Sequence, residues 1–453
     1  MKYEFISRQG NDRLILLYGG WSTDASFYSS IEMDGWDTLA VWGYDNFDFP
    51  SHLLEGYTTI ALFAWSFGVY AATKAIDGEK ISLAVAVNGT PYPIDDKKGI
   101  PVNIFKATAD SLSAPALRKF IRRISGKYHD EIKDKFDTAD IDRLLEELRF
   151  IEKEATRPTK KALRWQRAYI SENDLIFPAT NQISGWQEYD AYVERCILPE
   201  ESHYTNLSRI IRTTLPHIGS VGKRFASAFT TYENEASAQR NIVEHLVDMA
   251  PSRKMKRMIE IGPGTGLLSR HITEKFMPEE IDFIELYPLT PFNIAPTERY
   301  HTIDAEKWFA EESAHSPGSA DAIISANTIQ WFLNPRAFFR HASNVLRKDG
   351  MLLCSTFLPG NLEELKRVNP YSLIYRSENE IRAYLNEYFE DVRMEQEDII
   401  MDFDSPRMLL AHLSHTGVGG NFSSRLPLSD VISRLPSRLT YRPLYILCKN
   451  PRN

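Results

Sequence analysis

Two stretches of this 453-residue chain place reactive or ligand-holding residue types at chemically meaningful spacings. In "LFAWSFGVYAA" (62–72), Ser66 sits where an apolar run becomes Ala-rich, with Ala64 two residues before it and Gly68 two after. Small residues at those positions let a strand and a helix pass close together at a strained turn that lifts a serine Oγ above a sheet. In "MIEIGPGTGLL" (258–268), Gly262, Gly264 and Gly266 end one apolar run and open a helical pattern. Glycines there let the backbone approach a nucleotide-like ligand, and the start of the helix supplies free N–H groups.

A serine attacks a carbonyl only when a base removes its proton and a third group orients that base. On an α/β-hydrolase sheet these groups follow successive strands in the order Ser, Asp, His. Here "AYISENDLIFPATNQISGW" (168–186) reads as a strand followed by a loop carrying Asp174, and "CILPEESHYTNL" (196–207) as a strand followed by His203. Asp95, Asp96 and Asp110 also follow nearby strands, so four carboxylates compete for the same imidazole. The backbone N–H groups of Trp21, in "GGW", and of Phe67 are the expected oxyanion donors, with Gly19 and Gly20 leaving room for the turn.

The second stretch has Leu267 where the dinucleotide fingerprint has its third glycine, so it fits S-adenosylmethionine better than a nicotinamide cofactor. Glu285 ends the next strand and suits two ribose hydroxyls, Asp304 suits an adenine amine, and Glu260 can face an ammonium group. Tyr232, Gln330 and Trp331 are candidates for the substrate pocket, although Tyr232 and Trp331 fit an aromatic core equally well.

These groups need scaffolds. Short apolar runs alternate with helical patterns in two separate sets, at 13–21, 38–44, 58–65, 81–89, 164–171 and 193–199, then at 257–262, 281–286, 321–327, 350–356 and 445–450. Such alternation predicts two α/β domains in tandem, residues 1–212 and 217–453, with the break near Pro216 and Gly219. Between strands of the first, residues 111–160 carry two amphipathic stripes, Leu117, Phe120, Ile121, Ile124 and Ile141, Leu144, Leu145, Leu148, which predict a helical lid. Arg118, Lys119, Arg122 and Arg123 run among the first stripe, either as a solvated helix face or as a docking patch.

The net charge of −8 supplies no global attraction for nucleic acid. Cys196, Cys354 and Cys448 lie too far apart for a zinc or disulfide pattern, and no metal is expected. No signal-like or bilayer-spanning apolar run is present, so the reading is a cytoplasmic protein with no membrane or nucleic-acid partner.

Both halves resemble known families. Residues 1–212 are similar to BioG-type pimeloyl-[acyl-carrier-protein] methyl ester esterases through "LILLYGGW", "VWGYDNFDF", "AWSFGV", "LRKFIRRISG", "SENDLIFPATNQ" and "ESHY". The remainder resembles BioC-type malonyl-[acyl-carrier-protein] O-methyltransferases through "VGKRFASAFTTYENEASAQ", "EIGPGTGLL", "ANTIQWF", "STFLPGNLEEL" and "LLAHLSHTGVGG". Pro263 stands where that family often has Cys. The resemblance implies an α/β-hydrolase with a helical lid fused to a Rossmann-like class I S-adenosylmethionine-dependent methyltransferase, acting at two steps of biotin-precursor synthesis. Acyl carrier protein bearing malonyl or pimeloyl methyl ester would be its partner, and the resemblance favours docking for the four basic lid residues. The rival expectations are a general carboxylesterase fused to a small-molecule methyltransferase, and a chain with one half reduced to carrier binding.

Overall fold

The apolar runs of the first half become the inner strands of a mixed sheet, as expected for strands covered on both faces. The computed structural model describes residues 1–156, 163–215, 236–416 and 427–452. Its contacts divide the chain into two units, Met1–Arg212 and Thr213–Asn453.

In the first unit, strands β1 (Lys2–Ser7), β2 (Arg13–Tyr18), β3 (Asp37–Trp42), β4 (Thr59–Trp65), β5 (Leu83–Val87), β6 (Arg167–Ser171) and β7 (Glu194–Leu198) lie in the order β1-β3-β2-β4-β5-β6-β7. All neighbours are parallel except β1, which runs antiparallel to β3 at the edge. Every residue of β3, β4 and β5 is buried. Because the strands run parallel, the loops after β2, β4, β6 and β7 emerge at one edge, the usual place for a site on such a sheet.

The helical insertion starts earlier than the amphipathic stripes suggest. Helices span Val102–Asp110, Ala114–Ser125, His129–Ile132 and Ile141–Ala155. The first follows Pro101, which cannot continue a strand pattern but suits a helix start. Ser113 and Asp140 cap the second and fourth through the Ala116 and Arg143 backbone N–H groups. Leu117, Ile121, Ile124, Leu144 and Leu148 are buried, as their spacing requires, with Phe120, Ile141 and Leu145 half-buried. Residues 157–160 of the expected lid lie outside the described residues.

In the second unit, β8 (Arg257–Ile261), β9 (Glu280–Glu285), β10 (Thr297–Thr302), β11 (Ala320–Ser325), β12 (Leu346–Phe357), β13 (Phe389–Gln396), β14 (Ile399–Asp402), β15 (Arg438–Tyr441) and β16 (Pro443–Pro451) follow one another. Seven form one sheet in the order β10-β9-β8-β11-β12-β16-β13, and β14 pairs with β15 apart from it. Strand β16 is antiparallel to both neighbours, while β8 to β12 are parallel. This is a Rossmann-like sheet, with the glycine turn leaving β8, the third strand from the β10 edge. All three cysteines are buried and free. No helix among the described residues is long and apolar enough to cross a membrane.

Candidate functional site

Ser66 occupies the turn between β4 and the helix Phe67–Ala75, with φ 59° and ψ −127°. That conformation is strained for a residue with a Cβ, by about 1–3 kcal/mol, and its surroundings enforce it. A Cβ on Gly68 would lie 2.2 Å from the Tyr18 carbonyl oxygen, and one on Gly89 2.3 Å from the Ser66 carbonyl oxygen. Strand, turn and helix therefore pack at distances that only glycine allows. At the other small position the Ala64 methyl is accommodated within the buried sheet.

His203 Nε2 lies 2.9 Å from Ser66 Oγ, and His203 Nδ1 lies 2.9 Å from Asp174 Oδ2. All three side chains are buried. Asp174 Oδ1 accepts from the Ile176 and Phe177 backbone N–H groups at 2.8 and 3.0 Å, and Oδ2 also accepts from Gln182 Nε2 at 3.1 Å. The Phe177 ring lies parallel to the imidazole and offset from it, with ring centroids 5.9 Å apart. None of the other three carboxylates bonds the His203 ring, whose partners are Asp174 and Ser66. Asp95 accepts from the Lys97 and Lys98 backbone, Asp96 from the Val102 backbone, and Asp110 ends the helix Val102–Asp110.

Two residues that sequence reading passed over fix the histidine loop. The His203 carbonyl accepts from Trp65 Nε1 at 2.9 Å and from Asn88 Nδ2 at 2.7 Å. Asn88 has φ 47°, and its side chain also bonds Ser171 through both its amide nitrogen and its oxygen. The available signal was the Asn-Gly pair at the end of an apolar run, since Asn tolerates the left-handed region and bonds locally.

Trp21 and Phe67 line the same pocket as Ser66 and His203, together with apolar residues such as Ile100, Phe105, Phe120 and Leu148. Phe67 is the first helical residue, so its N–H has no acceptor within the helix. A Cβ on Gly20 would lie 2.7 Å from the Trp65 ring, which explains the second glycine of "GGW". The four basic residues of the helix Ala114–Ser125 are exposed, and none forms an ion pair among the described residues. Arg123 differs from the other three: its guanidinium donates to the Leu175 carbonyl at 2.7 Å, beside Asp174.

In the second unit, Gly262, Gly264 and Gly266 all have positive φ, at 64°, 55° and 80°. A Cβ on Gly262 would meet Thr328 Oγ1 at 2.2 Å and one on Gly266 the Phe292 ring at 2.8 Å, whereas at Gly264 nothing is nearer than the Tyr287 hydroxyl at 3.9 Å. The central glycine thus leaves an open cradle. Glu260, at the end of β8, is wholly buried, and neither carboxylate oxygen has a hydrogen-bond partner among the described residues. Burial and the nearby Glu285 push its carboxyl up to about 8; the Ser269 hydroxyl stands near enough to offset this in part, although it too makes no hydrogen bond among the described residues. Glu285 accepts from the Gly264 and Leu286 backbone N–H groups at 3.3 and 2.8 Å, and burial pushes it up to about 7. An orphaned buried carboxylate beside an open glycine cradle fits a ligand that combines a nucleoside with a positive charge.

Asp304 caps the helix Ala305–His315 through Oδ1, which accepts from the Glu306 and Lys307 N–H groups. Gln330 donates to the Asn327 carbonyl, while Gln330 Oε1 and Asn327 Oδ1 lack partners among the described residues. Trp331 is half-buried beside Gln330. Tyr232 lies outside the described residues.

Comparison with known proteins places both halves. Residues 1–208 match the family described as "Pimeloyl-ACP methyl esterase BioG", and residues 234–417 the family "Methyltransferase domain". A malonyl-[acyl-carrier protein] O-methyltransferase of Bacteroides fragilis is 31% identical over 96% of this chain and 92% of its own length. The chain belongs to that family. Another relative of the same name, from Porphyromonas gingivalis, is 32% identical over 50% of this chain and 94% of its own. A solved structure of BioG from Haemophilus influenzae is 31% identical, covering 45% of this chain and 94% of that one, with a TM-score of 0.40. The second half is an S-adenosylmethionine-dependent methyltransferase domain.

Proposed function

We propose that this chain masks and later unmasks a carboxylate on acyl carrier protein. The C-terminal unit methylates the free carboxylate of malonyl-carrier protein, and the N-terminal unit, an α/β-hydrolase, hydrolyses the methyl ester of pimeloyl-carrier protein. The observation that carries the hydrolase reading is the buried chain Asp174, His203, Ser66, with both links at 2.9 Å. The names of the relatives supply the substrates.

In the hydrolase, His203 takes the Ser66 proton as Oγ attacks the ester carbonyl. Asp174 holds the imidazole with Nδ1 protonated, and the Trp21 and Phe67 N–H groups receive the developing oxyanion. Methanol leaves with a proton from His203, and water then repeats the sequence on the acyl-serine. The apolar lining accepts the acyl chain, each buried CH₂ contributing roughly 0.8 kcal/mol. A seven-carbon chain therefore binds better than a three-carbon one, which protects the early ester. Arg118, Lys119 and Arg122, together with Arg123, face the acidic carrier.

In the transferase, bound S-adenosylmethionine supplies a methyl group on a positively charged sulfur. The positive-φ turn at 262–266 would hold this cofactor, with Glu285 accepting from the ribose hydroxyls, Asp304 serving the adenine amine and Glu260 the ammonium. Orienting the malonyl carboxylate in line provides most of the rate effect, so Gln330 and Trp331 act as pocket walls. The masking has a direct physical reason: an ionised carboxylate resists entry into an apolar elongation pocket, whereas its ester does not.

The deciding experiment offers the protein malonyl-carrier protein with labelled S-adenosylmethionine and, separately, carrier-bound pimeloyl methyl ester. Both should turn over. Ser66→Ala should abolish ester hydrolysis and leave methyl transfer intact; loss of both, or of neither, contradicts two independent sites.

A further inference from the structure

The helical insertion touches more than the acyl pocket: it is bonded to each of the three loops that carry hydrolytic groups. On the oxyanion side, the Trp21 indole N–H donates to the Leu144 carbonyl at 3.0 Å. Beside it, Ser22 Oγ and the Asp137 N–H exchange bonds with each other's carbonyls at 2.6 and 2.9 Å. On the acid side, Arg123 holds the Leu175 carbonyl, one residue from Asp174. On the histidine side, the Tyr204 N–H donates to the Ile124 carbonyl at 2.9 Å, and Lys127 Nζ pairs with Glu201 Oε1 at 2.8 Å. Glu201 is buried although Lys127 is half-exposed, and the Tyr128 hydroxyl approaches the same oxygen at 3.3 Å. Each contact lies within two residues of Trp21, Asp174 or His203.

We propose that seating of the 102–155 insertion positions these three loops, with Lys127 and Glu201 as positioning residues for His203. The proposal rests on the hydrolase reading above and adds where its selectivity is expressed. A lid that only covers a pocket changes binding. A lid that braces base, acid and oxyanion donor changes the chemical step, because displacements of about 1 Å in such groups alter rates by about a hundredfold. The same helix, Ala114–Ser125, exposes Arg118, Lys119 and Arg122 on its outer face. A carrier protein seated there presses the brace onto the loops, so the benefit of the carrier appears in kcat as well as in KM.

The test uses the full chain and a carrier-free probe, p-nitrophenyl acetate. Lys127→Met should lower kcat roughly tenfold with KM changed by less than about twofold, and Lys127→Arg should restore it. Glu201→Gln should cause a similar loss, and the double variant should be no worse than either single one, since both remove one contact. Ser22→Ala, which removes the Oγ bond to Asp137 among the three bonds on the opposite side of the pocket, should also act on kcat and stands in if Lys127→Met does not fold. Unchanged kcat in both Lys127→Met and Ser22→Ala, or a loss confined to KM, overturns the brace. Hydrolysis surviving in Ser66→Ala overturns the hydrolase reading instead, so the two failures are distinguishable.

Discussion

Replacing Asp174 by asparagine tests the hydrolytic arrangement with almost no change of shape. Asp174 Oδ1 accepts two backbone N–H groups, from Ile176 and Phe177, and Oδ2 accepts Gln182 Nε2 while facing His203 Nδ1. An amide has one oxygen. Two backbone donors at 2.8 and 3.0 Å claim it, so the new NH₂ points at His203 and at Gln182. Turning Gln182 over gives no relief, because its Nε2 also donates to the Phe177 carbonyl at 2.7 Å. The imidazole must then accept at Nδ1 and carry its proton on Nε2, the atom that has to receive the Ser66 proton. Holding the wrong tautomer reduces such catalysis by about 10⁴, equivalent to roughly 5 kcal/mol of barrier. Ground-state stability should fall by only about 1–3 kcal/mol for the mismatched donors. The assay follows the mass change of carrier-bound pimeloyl methyl ester, with methyl transfer by the same chain as the control for folding. An Asp174→Asn protein retaining a tenth or more of the wild-type rate refutes the argument, as does an equal loss in Asp95→Asn or Asp96→Asn.

The docking face should respond to Lys119→Glu with Arg122→Glu by losing about tenfold or more in kcat/KM for the carrier-linked ester while sparing p-nitrophenyl acetate; equal losses on both exclude docking there. Gly264→Ala puts a Cβ at φ 55° on the open side of the cradle. About 1–2 kcal/mol of backbone strain plus steric filling should weaken S-adenosylmethionine binding by tenfold or more in calorimetry, and an unchanged Kd removes the cradle. Glu260 holds its proton more tightly folded than unfolded, about 8 against 4.5, so its contribution to stability is full below pH 4.5 and is lost as pH rises through about 8. Glu260→Gln should therefore flatten the fall in Tm of the ligand-free protein across that window while weakening cofactor binding, and parallel Tm–pH curves would exclude an unpartnered buried carboxylate.

Strands whose residues are buried on both faces announce themselves as apolar runs, which is why β2 to β5 and β8, β9 and β11 are legible in the sequence. Edge strands do not. Strand β1 reads "KYEFIS" with its first half exposed, and β13 reads "FEDVRMEQ", so neither shows a core-facing run. The nucleophile turn is legible because close backbone approach demands small residues at fixed offsets. Selecting Asp174 among four carboxylates is a tertiary matter: what separates it from Asp95 and Asp96 is a loop conformation aimed at His203, and sequence spacing carries no record of that. The supporting roles of Asn88, Gln182 and Glu201 were hidden for the same reason, since each bonds a partner between five and over a hundred residues away.

The two sites are finished by different physical means. In the first unit, both Asp174 oxygens and both His203 ring nitrogens already have partners, so its charge distribution is complete within the fold and only a carbonyl needs to arrive. In the second, Glu260 lacks a partner, Glu285 stands nearby with the same sign, and two amide oxygens at 327 and 330 point at no donor among the described residues. Burial raises both carboxyls and Glu285 adds to the rise at Glu260, so a cationic ligand that favours their ionised forms would bind with loss of protons. Binding of S-adenosylmethionine should consequently release protons, and its affinity should rise with pH until Glu260 is ionised without help. The Ser66, His203 and Asp174 side chains leave no such gap, so on the hydrolase reading proposed above selectivity against the short ester falls to the apolar pocket.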